Sequence, residues 1–362
     1  MKWVAMSTEK YGSKFQFSWP PFQFRVSVAP MDALVEIDVS WDDGVCVCIL
    51  HPEEAKQLPP HPADACKLDL SGPHFQIAPS GESGLGMFAS PLGRYNTGDL
   101  IWKERPIVIM PIEVSPGIFD RVWKKLSEHG RRSVMGLRNA HPSTIDPFEG
   151  CLRTNFIGIE LPPNVDVSHR GLFPVISRAN HSCSSNATYH FDYQSFALEL
   201  RAARQIEPSE EIYIQYIDVL QPREERKRLL RELYMFECRC PSCDLPLGSK
   251  EAEESDRRRL LIGTWAETHT SLKDWLDDPL LEDDLIERES LELLNFLLEE
   301  GLEAIQRYAL DMLCASFAAR GDLKGFTAWA KRAREAARMG GDDHPMVIHY
   351  DKAVEVGMVE CE

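Results

Sequence analysis

Hydrophobic and polar positions alternate with a period of two through FQFRVSV at 22–28 and LVEIDVSW at 34–41, the pattern of half-buried strands. A proline-rich join, HPEEAKQLPPHPADAC at 51–66, follows. From 84, GLGMFAS leads through the turn signal PLGRYNTGD into LIWKERPIVIMP, which reads as strand, turn and strand. Over 113–139 the period lengthens to that of a helix, with Phe119, Val122, Trp123 and Leu126 at helical spacing. The stretch 171–218 returns to short β-like runs separated by polar turns. It is followed by REERKRLLRELYMF at 223–236, a charged helix running into a cysteine cluster.

Beyond about 250 the strand pattern ends. Amphipathic helices are expected at 281–299, 302–320 and 323–340, with Gly301, Gly321 and Gly340 at or near the breaks. Helices of similar length in succession fit stacked antiparallel pairs of the tetratricopeptide type, although that repeat's signature residues are not clearly present, and a plain helical bundle fits as well. The acidic clusters at 251–256 and 282–289 read as solvated faces. A chain of 362 residues exceeds the usual size of one core, so an α+β protein is expected: a mostly-β domain followed by an all-α one.

Composition narrows the class. Hydrophobic residues at 43% and charged residues at 27% are those of a globular protein, and no apolar run approaches the length of a membrane span. The N-terminal MKWVAMSTEKYGSK turns polar after six residues, too soon for a secretory core, so a cytoplasmic or nuclear location is expected and the ten cysteines are read as thiols or metal ligands. With 57 acidic against 40 basic residues, the formal charge of −17 argues against direct binding of nucleic acid. It suits basic partners such as lysine-rich segments, and equally serves solubility. A monomer is the expected state.

Three cysteines, Cys238, Cys240 and Cys243, stand in FECRCPSC with the spacing C-x-C-x-x-C, whereas a structural zinc ion takes four ligands. Cys183 lies in NHSC, and Cys46 and Cys48 lie in VCVCIL, where buried thiols of a strand are favoured over a second metal site. Cys66 completes no spacing motif. Cys151, Cys314 and Cys361 have no partners in sequence and read as core or surface thiols.

GLGMF at 84–88, NHSC at 180–183 followed by Asn186, EEIYIQYID at 210–218 and FECRCPSC at 236–243 stand in the order and spacing of SET-domain protein methyltransferases. The chain resembles the SET and MYND family and its fungal relatives over roughly 75–245, and more weakly over the helical tail. The resemblance implies an S-adenosylmethionine-dependent protein lysine N-methyltransferase acting on a lysine-bearing protein or peptide. It divides the chain into an N-terminal β-rich extension (1–74), a SET domain (75–235, with a helical insert at about 113–150), a zinc-binding post-SET segment (236–249) and a helical C-terminal domain (250–362) that walls one side of the peptide cleft.

It further implies zinc held by Cys183, Cys238, Cys240 and Cys243. Tyr216 becomes the catalytic channel tyrosine, and Tyr234 and Phe236 close the cofactor and lysine sites. Phe156, in TNFIG, is placed along the channel. The cofactor rests on Gly84, Leu85 and Gly86 and on Asn180 and His181, whose amide and imidazole offer a donor and acceptor pattern for an adenine edge.

The chain departs from the family pattern in three places. No cysteine occurs in 89–150, so the MYND finger is absent; SEE stands at 209–211 for GEE; and NHSCSSN lacks the family's proline. A serine at 209 is tolerated unless φ must be positive there.

For Tyr216 the bland alternative is a packed strand tyrosine, for Phe156 a core phenylalanine, and for His181 a satisfied structural histidine. For the whole protein the alternatives are a non-catalytic SET-like interaction module, or methyl transfer to an amine that is not on a protein. His51, His61 and His74 lie in loop-like sequence without metal spacing and receive no role.

Overall fold

The computed structural model describes residues 34–41, 44–58, 75–81, 84–115, 117–162 and 169–359. The strand expected at 22–28, the second half of the proline-rich join (59–66), Cys66, Cys361, His61 and His74 lie outside the described residues.

Strands β1 (Val35–Trp41) and β2 (Gly44–Leu50) form an antiparallel hairpin, paired from Val35 opposite Leu50 to Trp41 opposite Gly44. Strand β2 then pairs in parallel with β6 (Val108–Pro111), which leads on through β8 (His169–Leu172) to β7 (Ile157–Ile159) in a five-stranded sheet. The run CVCIL is apolar without interruption because both faces of β2 are covered. Cys46, Cys48 and Leu50 enter one core, and Val47 and Ile49 enter the core beneath the helical insert. Residues 35–50 therefore share the core of the domain rather than standing apart as an extension. The short helix α1 (Pro52–Ala55) follows, with His51 at its N-terminus.

A second sheet is built from β10 (Ala187–Asp192), β11 (Ala197–Ala202) and β5 (Leu100–Glu104). The third carries the site, in the order β3 (Phe75–Pro79), β4 (Leu85–Ala89), β12 (Glu211–Ile214) and β9 (Asn180–His181). β9 runs parallel to β12, with Asn180 opposite Tyr213 and His181 opposite Ile214. This places the NHSC turn beside the chain leading to Tyr216.

The turn into β12 meets the condition set by its serine: Ser209 has φ +64°. A side chain in the left-handed region costs about 1–2 kcal/mol, and glycine's extra unfolded-state freedom offsets part of that. Ser209→Gly should therefore raise stability by roughly 0.5–1 kcal/mol, read as a higher urea midpoint. A lower midpoint would show that the serine hydroxyl contributes more than its backbone costs.

The helical insert comprises α2 (Gly117–Lys125), α3 (Glu128–Met135) and α4 (Pro147–Asn155), ending beyond the helical period of 113–139 and about five residues beyond the insert bound of about 150. Asp146 caps α4 by accepting from the amides of Phe148 and Glu149. Phe119, Val122 and Leu126 are buried as expected, whereas Trp123 is 38% exposed, flanks Phe148 edge-on and carries the Arg131 guanidinium over its ring at 5.0 Å.

After α5 (Arg223–Tyr234), the described residues from 250 onward are helical. The expected helices are α8 (Leu285–Glu299), α9 (Arg307–Arg320) and α10 (Leu323–Ala337), with a single 3-10 turn before α9 and another after α10. Three more were not anticipated: α6 (Lys250–Thr268), α7 (Leu272–Asp277) and α11 (Pro345–Val359). Each of α8–α11 packs on its neighbour in sequence, and α6 packs on α8. The acidic stretch at 251–256 is largely solvated, but it opens α6, whose other face is deeply buried. Tail residues Ile262, Trp265, Leu293 and Leu310 share one core with Cys183, Val219, Cys238 and Cys243.

Candidate active site and metal centre

The sulfurs of Cys183, Cys238, Cys240 and Cys243 lie within 4.8 Å of one another, and Cys183 Sγ is 3.5 Å from Cys243 Sγ. Tetrahedral coordination at a metal–sulfur length of about 2.3 Å sets sulfurs about 3.8 Å apart, so the four fit one ion with little movement. Contact with the other thiols, Cys238 foremost, raises Cys183, and the same contacts lower Cys240, led by Cys183. Four thiols at this spacing are a donor set that a divalent ion would take as thiolates. Arg226 is fully buried beside them; burial alone lowers its pKa, yet the Cys183 and Cys243 sulfurs hold it above its ordinary value. Cys46 and Cys48, with sulfurs 3.6 Å apart, and the core thiols Cys151 and Cys314 stay outside this cluster.

His181 joins the cluster to the tyrosine. Burial lowers its pKa to about 4, so the ring is neutral. Its Nδ1 accepts from the Tyr216 amide at 3.1 Å, which assigns the proton to Nε2, 3.3 Å from Cys183 Sγ. With both nitrogens engaged, the imidazole is not available to an adenine edge as the sequence reading had it. His181 can present only its backbone and ring face to the cavity.

A cavity of about 980 Å³ collects most of the expected residues: Gly84, Leu85, Asn180, His181, Tyr216, Tyr234 and Phe236. Tyr216 Oη donates to the Ala179 carbonyl at 2.8 Å, and Tyr234 Oη donates to the Tyr216 carbonyl at 3.1 Å. Their rings lie 4.9 Å apart at 41°. Burial, with Tyr234 alongside, raises the Tyr216 phenol well above its usual range, and burial pushes Tyr234 up to about 12, so both remain protonated. Gly84 has φ +86° and open space where a side chain would stand, as a bed for a close-lying ligand requires.

Two expected residues are placed elsewhere. Gly86 does not line the cavity; a Cβ there would lie 2.3 Å from Glu211 Oε1 and 3.0 Å from Asn180 Nδ2, so this glycine makes room for a contact behind the site. Phe156 ends α4 and packs in the core under the insert, with the Arg170 guanidinium over its ring at 4.8 Å. The helix turns the preceding residue, Asn155, toward the cavity instead. Asn155 Nδ2 donates to the carbonyls of Arg138 and Cys151 at 2.7 Å.

Sequence reasoning also missed Glu211. Its carboxylate accepts from Ser80 Oγ at 2.8 Å, Asn180 Nδ2 at 2.8 Å and Tyr213 Oη at 2.7 Å, fixing β3, β9 and β12 together. Asn186 acts in the same way: fully buried, it donates to the Glu211 carbonyl at 2.8 Å and accepts from the Tyr213 amide at 2.8 Å. The paired glutamates of the SEE motif and the asparagine after NHSC were visible signals of this frame. Among the described residues, none of the tail lines the cavity, so the described tail does not wall this part of the site as expected.

Residues 80–217 match the SET domain family model. The chain is 26% identical over 287 residues to histone-lysine N-methyltransferase set5 of Schizosaccharomyces pombe, across 78% of this chain and 83% of that one. It is 40% identical over 88 residues to N-lysine methyltransferase SMYD2 of Gallus gallus, spanning 24% of this chain and 20% of that relative's length. A solved SET-domain structure, that of LSMT bound to lysine and AdoHcy, aligns at a TM-score of 0.30 and 13% identity over 80% of this chain and 88% of that one. Residues 80–217 thus match a SET domain, and the chain is similar in sequence to the set5 and SMYD lysine methyltransferases. Among the described residues, no helix is long and apolar enough to cross a membrane.

Proposed function

We propose that the protein is an S-adenosylmethionine-dependent protein lysine N-methyltransferase whose four-cysteine cluster holds a structural zinc ion. The observation that carries the reading is the convergence of Tyr216, Tyr234, Phe236 and the β9 backbone on one cavity, braced by that cluster. Bound S-adenosylmethionine supplies a methyl group on a cationic sulfur. Transfer is an in-line displacement: the amine lone pair forms the new N–C bond as the S–C bond breaks, and position is most of the catalysis.

The chain's own residues meet these needs. Tyr216 gives its hydroxyl proton to Ala179 and keeps oxygen lone pairs to aim an incoming amine. The tilted rings of Tyr216 and Tyr234 provide an apolar wall that disfavours the charged ammonium, lowering an ordinary lysine pKa of about 10.4 toward neutrality. The proton then leaves on water. Neither tyrosine serves as the base, because both phenols are held protonated.

Two measurements test the reading. Calorimetric titration with S-adenosylhomocysteine should give saturable heat, and a labelled-methyl assay over histones and whole-cell protein should label lysine. Absence of heat would leave a non-catalytic interaction module. Labelling confined to small amines would move the substrate off protein.

A further inference from the structure

Among the described residues none of the helical tail lines the cavity, yet one tail side chain holds backbone that follows two stretches lining it, at Ser182 and at Tyr216. Arg259, in α6, is fully buried. Its Nη1 donates to the carbonyls of Cys183 at 3.1 Å and Val219 at 2.7 Å, and its Nε donates to Glu300 Oε2 at 2.9 Å. Its Nη2 faces Ser184 Oγ at 3.3 Å, Ser242 Oγ at 3.1 Å and the Glu300 carbonyl at 3.2 Å. The planar fork thus gathers the NHSC turn, the turn that follows Tyr216, the cysteine segment and the end of α8.

The fork is itself anchored. Glu300 also accepts from Ser255 Oγ at 2.6 Å and Arg258 Nε at 2.7 Å. The following residue, Gly301, has φ +64°, and a Cβ on it would stand 2.9 Å from Ser184 Cβ. The turn after α8 therefore lies directly on the NHSC turn. Gly263, one turn along α6, packs against Leu220.

We propose that Arg259 is a positioning residue for methyl transfer, supplied by the tail. It sets the spacing between Cys183 and Val219, and with it the His181 bridge from the metal cluster to Tyr216. Lysine cannot substitute, because an ammonium is a point donor without the planar fork needed to reach two carbonyls and a carboxylate together. The kinetic consequence rests on the reading of the cavity as the transfer site; the metal consequence does not.

The full chain is tested as wild type, Arg259→Met, Arg259→Lys and Ile286→Ala, the last opening a hole at the start of α8, where Ile286 is buried outside the core shared with the cysteines. Zinc release to a colorimetric chelator, S-adenosylhomocysteine affinity and melting temperature are measured together. Outer-shell partners typically change metal retention by an order of magnitude, so Arg259→Met should release zinc roughly tenfold faster than wild type. Its ligand affinity should fall on the order of fivefold. Arg259→Lys, the variant that keeps the charge, should move both in the same direction and so carries the test if Arg259→Met does not fold. Ile286→Ala should lose melting temperature without either effect. Wild-type zinc release in the arginine variants, or equal acceleration in Ile286→Ala, overturns the proposal. Faster zinc release in Arg259→Lys from a wild type that binds no S-adenosylhomocysteine supports the coupling and removes the methyltransferase reading instead.

Discussion

Cys183→Ser should lose its zinc and, with it, most of its affinity for S-adenosylhomocysteine, although no group facing the ligand has been changed. Three thiols remain, and a hydroxyl is a far weaker ligand than a thiolate, so the cluster no longer ties the NHSC turn to the cysteine segment. Two consequences reach the cavity. The segment bearing Phe236 is released, and the Nε2 proton of His181 loses its sulfur acceptor, which frees the ring that fixes the Tyr216 amide. A fall in ligand affinity of roughly tenfold or more is expected, with elemental analysis moving from one zinc per chain to near none. Cys46→Ser, whose sulfur contacts only Cys48 among the cysteines, should retain the metal. A wild type free of zinc when purified without chelator would sink the site.

The second large effect belongs to Tyr216. Tyr216→Phe removes the hydroxyl that bonds the Ala179 carbonyl and leaves the ring stacked against Tyr234 and His181. The lost hydrogen bond costs about 1 kcal/mol of stability. Turnover should fall by at least roughly tenfold, because the oxygen that aims the amine is gone while the apolar wall stays. S-adenosylhomocysteine affinity should remain close to wild type, which separates a defect in chemistry from one in binding. Unchanged turnover would return Tyr216 to the role of a packed strand residue.

The sequence was most informative where chemistry and local pattern coincide. The cysteine spacing and the NHSC and EEIYIQYID motifs point to residues that the fold gathers around one cavity and one cluster. Errors arose where a role depends on what a side chain meets. His181 looks like a ligand-facing imidazole, but its two nitrogens are taken by Tyr216 and Cys183. Phe156 and Asn155 are adjacent, and only the rotation of α4 decides which of them faces the cavity. Helix α6 was hidden because its buried face includes Ser255 and Arg259, so no apolar stripe marks it. The functional weight of the tail could not be read from its amphipathic pattern for the same reason. Its reach into the site is a hydrogen-bonding fork, which leaves no periodic signature.

One core is shared by the cysteine segment and helices that come later in the chain. Synthesis runs from the N-terminus, and domains generally fold as they emerge. When Cys243 leaves the ribosome all four sulfur ligands have been made, but Leu293, Leu310 and their neighbours, which cover that segment, have not. The nascent residues up to Cys243 must therefore wait with an uncovered apolar surface beside the four cysteines. The cysteine segment gains its cover late, when the helices of the tail pack over it. A chain cut short by premature termination within the tail is thus expected to be a client of chaperones and proteases rather than a weak enzyme.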